Sequence, residues 1–243
     1  MIWQEYAQQL KEVLSLEGSP IGVAFSDLPA SNGKGSRIFP CSAFYQAARK
    51  GVTFNISAET NTCPGGMTSL GLAAPSPERA MTVKKFLIEG EKFSSCNASF
   101  FRGRALSQGQ QPLGVSKYVV VGPLEQFEIK PDLVLFLCTP AQASRLVTLS
   151  GFETGIPLQA QLTGSTCSGS ITFPLSTGKI NVSFIDNSSR HLVKGFKDTD
   201  LIFSVPYFLV RSIVESIPLC TAGTAQPGMG FNEVMLQTRN SAS

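Results

Sequence analysis

Six cysteines are the residues of this chain best suited to specific chemistry. Thiolates are the soft ligands that iron–sulfur clusters and zinc require. No two of the six form a Cys-x-x-Cys pair, which argues against a zinc ribbon or a thioredoxin-type site. In a chain expected in the cytosol, a disulfide framework is not favoured either. The six are Cys41, Cys63, Cys96, Cys138, Cys167 and Cys220.

Two of these cysteines follow similar stretches of sequence. Residues 51–66 are predicted to form a strand that runs into Cys63 on a glycine turn, and residues 155–170 align with them without a gap. Residues 20–29 and 131–140 match upstream, in the same order. The pattern indicates an internal duplication, unless two αβ units share strand and turn sequences by chance. The identical pairs are Gly51 and Gly155, Thr62 and Thr166, Cys63 and Cys167, and Gly65 and Gly169.

Cys41 is expected near the start of a helix, where unpaired amides and the helix dipole favour the thiolate. If the two halves are related by a pseudo-two-fold axis, the turns at Cys63 and Cys167 face each other and Cys41 joins them. Three thiolates in one electropositive pocket predict an iron–sulfur cluster, with zinc as the alternative metal. The fourth ligand stays open between Cys96, Cys220 and a group from outside the protein.

Glycines beside these cysteines allow a ligand to approach the backbone closely, which makes Gly65, Gly66 and Gly169 candidate cofactor-binding residues. Arg190 is a candidate for an anionic part of the ligand, as are Arg102 and Arg104. The alternative is that these arginines are solvated charges. Free cysteines are also often small buried hydrophobes, which is the expectation for Cys138 at the end of an apolar strand.

The elements that must position these residues alternate between helix and strand. An α/β or α+β fold is predicted, with a mixed sheet and flanking helices, and not a Rossmann domain. Helices are expected at residues 2–16, 42–50, 76–89, 141–150 and 206–216, with a last helical turn at 232–238. Strands are expected at residues 20–26, 51–57, 96–106, 116–121, 132–138, 180–185 and 200–205, with a further strand from residue 155 before Cys167.

Length and composition fit one globular domain over residues 1–243. Its possible halves are residues 17–125 and 126–217, followed by a C-terminal extension at 218–243. Hydrophobic residues make up 42% and charged residues 15%, which allows a sizeable core. The net charge of +3 is spread without a basic patch, so nucleic acid is not an expected partner. No bilayer-length apolar run or signal peptide is present, which predicts a cytoplasmic protein without a membrane partner.

Several motifs together resemble the family called domain of unknown function 169. They are Pro40-Cys41 with Ala47 and Gly51, Cys63-Pro-Gly-Gly, Cys167, residues 174–183, Arg190, and Ile202-Phe-Ser-Val-Pro206. The resemblance covers about residues 10–217. It implies a cytoplasmic protein of archaea and anaerobic bacteria, with no settled activity. It also implies that Cys41, Cys63 and Cys167 are family features, and it does not extend to the other three cysteines.

Three functional hypotheses follow. The first is a protein with a thiolate-ligated cofactor in a redox or sensing role. The second is a small-molecule binding protein with structural cysteines and a cleft between its halves. The third is an enzyme with Cys41 as nucleophile, for which His191, the single histidine, is the available base. His191 lies in a polar turn, where a surface position is the ordinary outcome. The oligomeric state is left open.

Overall fold

The computed structural model describes residues 2–74, 76–93 and 115–224. Its six strands form one sheet in the order β2-β3-β1-β4-β6-β5. Every ladder in this sheet is antiparallel, and parallel pairing is limited to two isolated bridges. The α+β alternative is therefore confirmed. The strands are β1 (Ile21–Ser26), β2 (Phe54–Ile56), β3 (Tyr118–Pro123), β4 (Leu133–Cys138), β5 (Asn181–Phe184) and β6 (Leu201–Pro206).

Helices cover both faces of the sheet. In the described part of the chain they are α1 (Ile2–Leu14), α2 (Pro40–Lys50), α3 (Pro64–Ser69), α4 (Pro77–Lys85), α5 (Pro140–Ser150), α6 (Phe173–Thr177), α7 (Asn187–Leu192), α8 (Tyr207–Ser216) and α9 (Thr221–Thr224). A π-helical turn, Phe86–Gly90, follows α4, and another, Ser168–Thr172, precedes α6. Short 3₁₀ turns lie at Leu124–Gln126 and Ile217–Leu219.

Strand β4 shows why helices cover both faces of the sheet. All six of its side chains are buried, and alternate residues of a strand face opposite sides of the sheet. Leu133, Leu135 and Leu137 pack into the core beneath α2, whereas Val134 and Phe136 pack into a second core beneath α1, α5 and α8. A strand that is buried on both faces needs a continuous apolar run, and this is the sequence signal that predicted it.

The second core explains the amphipathic helix at the N-terminus. Ala7, Leu10 and Leu14 are buried on one face of α1, where three- and four-residue spacing brings side chains together. Cys138, at the end of β4, belongs to the same core and is 1% exposed. The prediction that Cys138 is a core residue is confirmed.

The predicted strand before Cys167 is wrong. Residues 155–163 form no strand and are mostly exposed. Ile156 and Leu162 lie in solvent, and only Leu158 of these three packs against the core beneath α1, α5 and α8. Its counterpart in the first half does form β2. The duplication thus stays a prediction, although residues before 126 supply β2, β3 and β1 and residues after 126 supply β4, β6 and β5.

Two predicted turns are short helices instead. The glycine turn after Cys63 is α3, which begins with Pro64 at its first position, and the polar turn at 186–191 is α7. The predicted strand at 96–106 and the helical turn at 232–238 lie outside the described residues. Within the described residues, no helix has the length and apolar character needed to cross a membrane.

Candidate functional site

Cys41 lies in the first turn of α2. Pro40 occupies the first helical position, and Phe39 before it gives no side-chain cap to the helix. The Cys41 side chain turns into the protein and is 5% exposed. The Ser189 hydroxyl and the Ser42 amide lie near its sulfur and lower the pKa of the thiol.

Cys63 is the N-cap of α3. Its sulfur accepts a hydrogen bond from the Gly66 amide at 3.3 Å and another from the Gly65 amide. Asn61 fixes the backbone here, because its side chain accepts from the Cys63 amide and donates to the Cys63 carbonyl at 2.8 Å. A Cβ atom at Gly66 would meet Pro40 Cγ at 2.8 Å. Glycine at this position therefore lets α3 pack closely against the start of α2.

Cys167 enters the site from the second half of the chain. It directly precedes the π-helical turn Ser168–Thr172, which continues into α6. Thr166 before it donates its amide and its hydroxyl to the Asp186 carboxylate at 2.8 and 2.7 Å. This pair of hydrogen bonds ties the start of the helical segment to the start of α7.

Packing of α3 against the π-helical turn Ser168–Thr172 sets the position of Cys63 relative to Cys167. The Thr172 hydroxyl donates to the Ser69 carbonyl at 2.9 Å, and the Ser69 and Ser168 hydroxyls are 3.4 Å apart. A Cβ atom at Gly169 would lie 2.0 Å from Ser183 Oγ. The close approach at Gly169 therefore serves the packing of this segment on β5.

These three cysteines come together in the fold, although they are far apart in sequence. Burial raises the pKa of the Cys41 thiol to about 11, and the neighbouring Cys63 thiol and the Asp186 carboxylate also raise it. Burial likewise raises the pKa of Cys63, partly offset by the two glycine amides. It raises the pKa of Cys167 well above its ordinary value, with further contributions from Cys63, Cys41 and Asp186.

The expectation that the helix start favours the Cys41 thiolate is therefore wrong for the ligand-free site. Removal of the sulfur from water outweighs the hydrogen bonds and the helix dipole. No side-chain cation is among the groups that shift these three pKa values, and Asp186 adds negative charge. His191 is exposed and does not act on Cys41. A nucleophilic Cys41 with His191 as its base has no support in this arrangement.

Asp186 and Ser189 were not predicted as site residues. Asp186 is the N-cap of α7 and accepts from the Ser189 amide at 2.7 Å, while the Ser189 side chain reaches Cys41. An aspartate before a short polar run is a helix-start signal, and it could have placed α7 from sequence. Its proximity to the cysteines could not be predicted without the fold.

Arg190 lies beside the site, but its guanidinium donates to backbone carbonyls. It donates to the Ile185 carbonyl at 3.2 Å, to the Asp200 carbonyl at 2.8 Å and to the Lys197 carbonyl. Because the protein itself occupies these donors, an anionic ligand would have to displace the carbonyls from the guanidinium. Arg102 and Arg104 lie outside the described residues.

The other two described cysteines do not belong to the cluster. Cys220 is buried in the core beneath α1, α5 and α8, the core that also contains Cys138, and neither affects the pKa of the three clustered thiols. Cys96 lies outside the described residues. Among the residues that are described, no group of three or more His, Cys, Asp or Glu side chains is already arranged to hold a metal ion. The five described cysteines are free thiols.

The family model for domain of unknown function 169, described as uncharacterised ArCR, matches residues 9–216. The chain belongs to this family. A distant relative is an uncharacterised protein of Methanocaldococcus jannaschii, which is 24% identical over 163 residues, or 66% of this chain and 68% of the relative. No solved structure matches the chain significantly. All three clustered cysteines fall inside the region that matches the family.

Proposed function

We propose that this family member is a cytoplasmic protein that binds a thiolate-ligated cofactor, an iron–sulfur cluster, in a redox or sensing role. The observation that carries the proposal is the clustering of Cys41, Cys63 and Cys167 from three separate segments. Cys63 lies close enough to raise the pKa of Cys41, and both raise the pKa of Cys167.

The donor set fits a soft, positively charged group. Three thiolates beside the Asp186 carboxylate would place like charges in a partly buried space, which is unfavourable without a cation. Amide donors at Cys63 and the Ser189 hydroxyl at Cys41 are the kind of hydrogen bond that tunes sulfur ligands of a cluster. A bound cluster would supply one-electron redox chemistry, while these residues bind it and keep water away.

Zinc is the alternative to a cluster, because it binds the same soft thiolates. No group of three such side chains in the described residues is arranged to hold a metal ion, so either metal group would require the thiols to move. Zinc needs all of its thiolates about 2.3 Å from one point, and hence about 3.8 Å from one another. A cluster distributes its thiolates over several irons, so its ligands stand farther apart. Its fourth ligand would be Cys96 or a group from outside the protein.

Proton release is a consequence of the raised pKa values. The three thiols carry their protons at neutral pH, so loading of the site must displace them. Metal loading is therefore expected to become more favourable as the pH rises.

The test is purification from cells under strictly anaerobic conditions, followed by measurement of iron, acid-labile sulfide and zinc. We expect brown protein with iron and sulfide in the wild type. Each of Cys41→Ala, Cys63→Ala and Cys167→Ala should lose most of both. Cys138→Ala is the matched control, because it also removes a buried thiol but from the opposite core.

Colourless wild-type protein without iron and sulfide would refute the cluster. If the protein instead contains stoichiometric zinc that is lost with the same three cysteines, the site is a zinc site and not a cluster site. Equal iron loss in Cys138→Ala and the three cluster variants would show that loading follows stability and not ligation. Urea unfolding of all four variants separates these cases.

A further inference from the structure

A pocket lies between α2 and the segment of residues 34–39. It has a volume of about 370 Å³. This is the lower end of the range of small-molecule sites. Its lining comes entirely from residues 34–62, so it is not a cleft between the two halves of the chain.

The charge of this pocket is positive. Lys34 and Arg37 line it, and no acidic side chain does. Neither cation has an ion-pair or side-chain hydrogen-bond partner among the described residues. Two unpaired cations at one concave surface attract an anion and hold it more strongly than either charge alone.

A hydroxyl group and a helix start face the same space. Ser42 Oγ accepts from Gln46 Nε2 at 3.2 Å, which leaves its own proton free to donate. The start of α2 has no side-chain cap, so its dipole also favours an anion there.

The backbone that carries the cations is fixed in place. The Lys34 amide donates to the Thr53 carbonyl at 2.9 Å, and the Lys34 carbonyl accepts from the Asn55 amide at 2.9 Å. The Asn55 side chain additionally donates to the carbonyls of Ala30 and Gly33. The pocket wall is thus formed before a ligand arrives, which lowers the entropic cost of binding.

Aromatic residues complete the pocket. Phe39 is half-buried and Phe54 is buried, and both belong to the lining. Phosphate oxygens suit the two cations and the Ser42 hydroxyl, whereas the aromatic wall suits carbon. We propose that this pocket binds the phosphate monoester of a small organic molecule, with Lys34 and Arg37 on the phosphate and the two phenylalanines against its organic part.

The test is isothermal titration calorimetry at low ionic strength, with phenyl phosphate as the probe. We expect saturable binding of phenyl phosphate, with weaker binding of inorganic phosphate and of benzoate. Lys34→Ala and Arg37→Ala should each weaken phenyl phosphate about tenfold or more, since a hydrogen bond to a charged group contributes that much. Lys179→Ala is the matched control, because it removes an exposed lysine from residues outside the pocket.

Equal losses of affinity in Lys34→Ala and Lys179→Ala would overturn the assignment.

The probes also distinguish the ligand class. If benzoate binds as tightly as phenyl phosphate, the pocket does not select phosphate. If inorganic phosphate binds as tightly as phenyl phosphate, the pocket does not contact the organic part of the ligand. No binding of any probe would overturn the site itself. No cysteine lines the pocket, and Cys167 is far in sequence from its lining, so phenyl phosphate binding should persist in Cys167→Ala. The two proposals can therefore fail separately.

Discussion

Raising the pH of the reduced, metal-free protein should destabilise it through Cys41. Burial raises the pKa of this thiol from 9.0 to about 11. The folded protein therefore holds the proton more tightly than the unfolded chain does. The resulting stability is fully present below about pH 9 and is lost as the pH rises through about 11. Since each tenfold step in the ionisation constant corresponds to about 1.4 kcal/mol, the full loss is about 3 kcal/mol.

Urea unfolding under argon, with a reductant and a metal chelator, measures this effect. The free energy of unfolding is compared between the wild type and Cys41→Ala at about pH 8 and about pH 10.5. Lysines and tyrosines titrate in both proteins, so their contribution to the change in the free energy of unfolding cancels when the two proteins are compared. Over this range the wild type should lose about 2 kcal/mol more than the variant, because most of the Cys41 contribution disappears there.

A non-titrating control completes the experiment. Ser204→Ala removes a buried hydroxyl that has no partner in the described protein, so it should shift the free energy of unfolding by a constant amount at every pH. If the wild-type and Cys41→Ala profiles run parallel between about pH 8 and 10.5, burial does not raise the pKa of Cys41. The physical account of the ligand-free site would then be wrong.

Three further substitutions test the packing around the site by urea unfolding. Gly66→Ala places a Cβ 2.8 Å from Pro40 and should cost about 1–3 kcal/mol, whereas Gly65→Ala, which has 4.0 Å of clearance, should cost nothing. Asp186→Ala removes a helix cap and should lower the free energy of unfolding by about 1–2 kcal/mol. Asp186→Asn should keep most of that stability, because asparagine also caps helices. Arg190→Ala leaves several carbonyls without a donor and should cost about 1–3 kcal/mol; a loss confined to metal-loaded protein would refute its structural role.

Local patterns in the sequence were sufficient for most of the longer elements. The apolar run at 133–138 predicted a strand buried on both faces, and the three- and four-residue spacing at the N-terminus predicted α1. Proline before Cys41 predicted the start of α2, because proline fits the first position of a helix. Such signals depend only on neighbouring residues. They failed at the short helices α3 and α7 and at 155–163, which form no strand.

The choice of three cysteines from six also came from the sequence. Cys41 was distinguished by its helix start, and Cys63 and Cys167 by similar flanking residues and by resemblance to the family to which the chain belongs. The same criteria left Cys138 in the core, where it is buried. Residue type and local setting were enough for this selection.

Only the tertiary structure decided what surrounds those cysteines. More than a hundred residues separate Cys63 from Cys167, and the packing of α3 on the segment before α6 brings them together. Asp186 and Ser189 reach the site through α7, which no local pattern connects to Cys41. Burial then reversed the expected direction of the Cys41 pKa. The sequence shows which groups can ionise, whereas their distance from water and from one another depends on the complete fold.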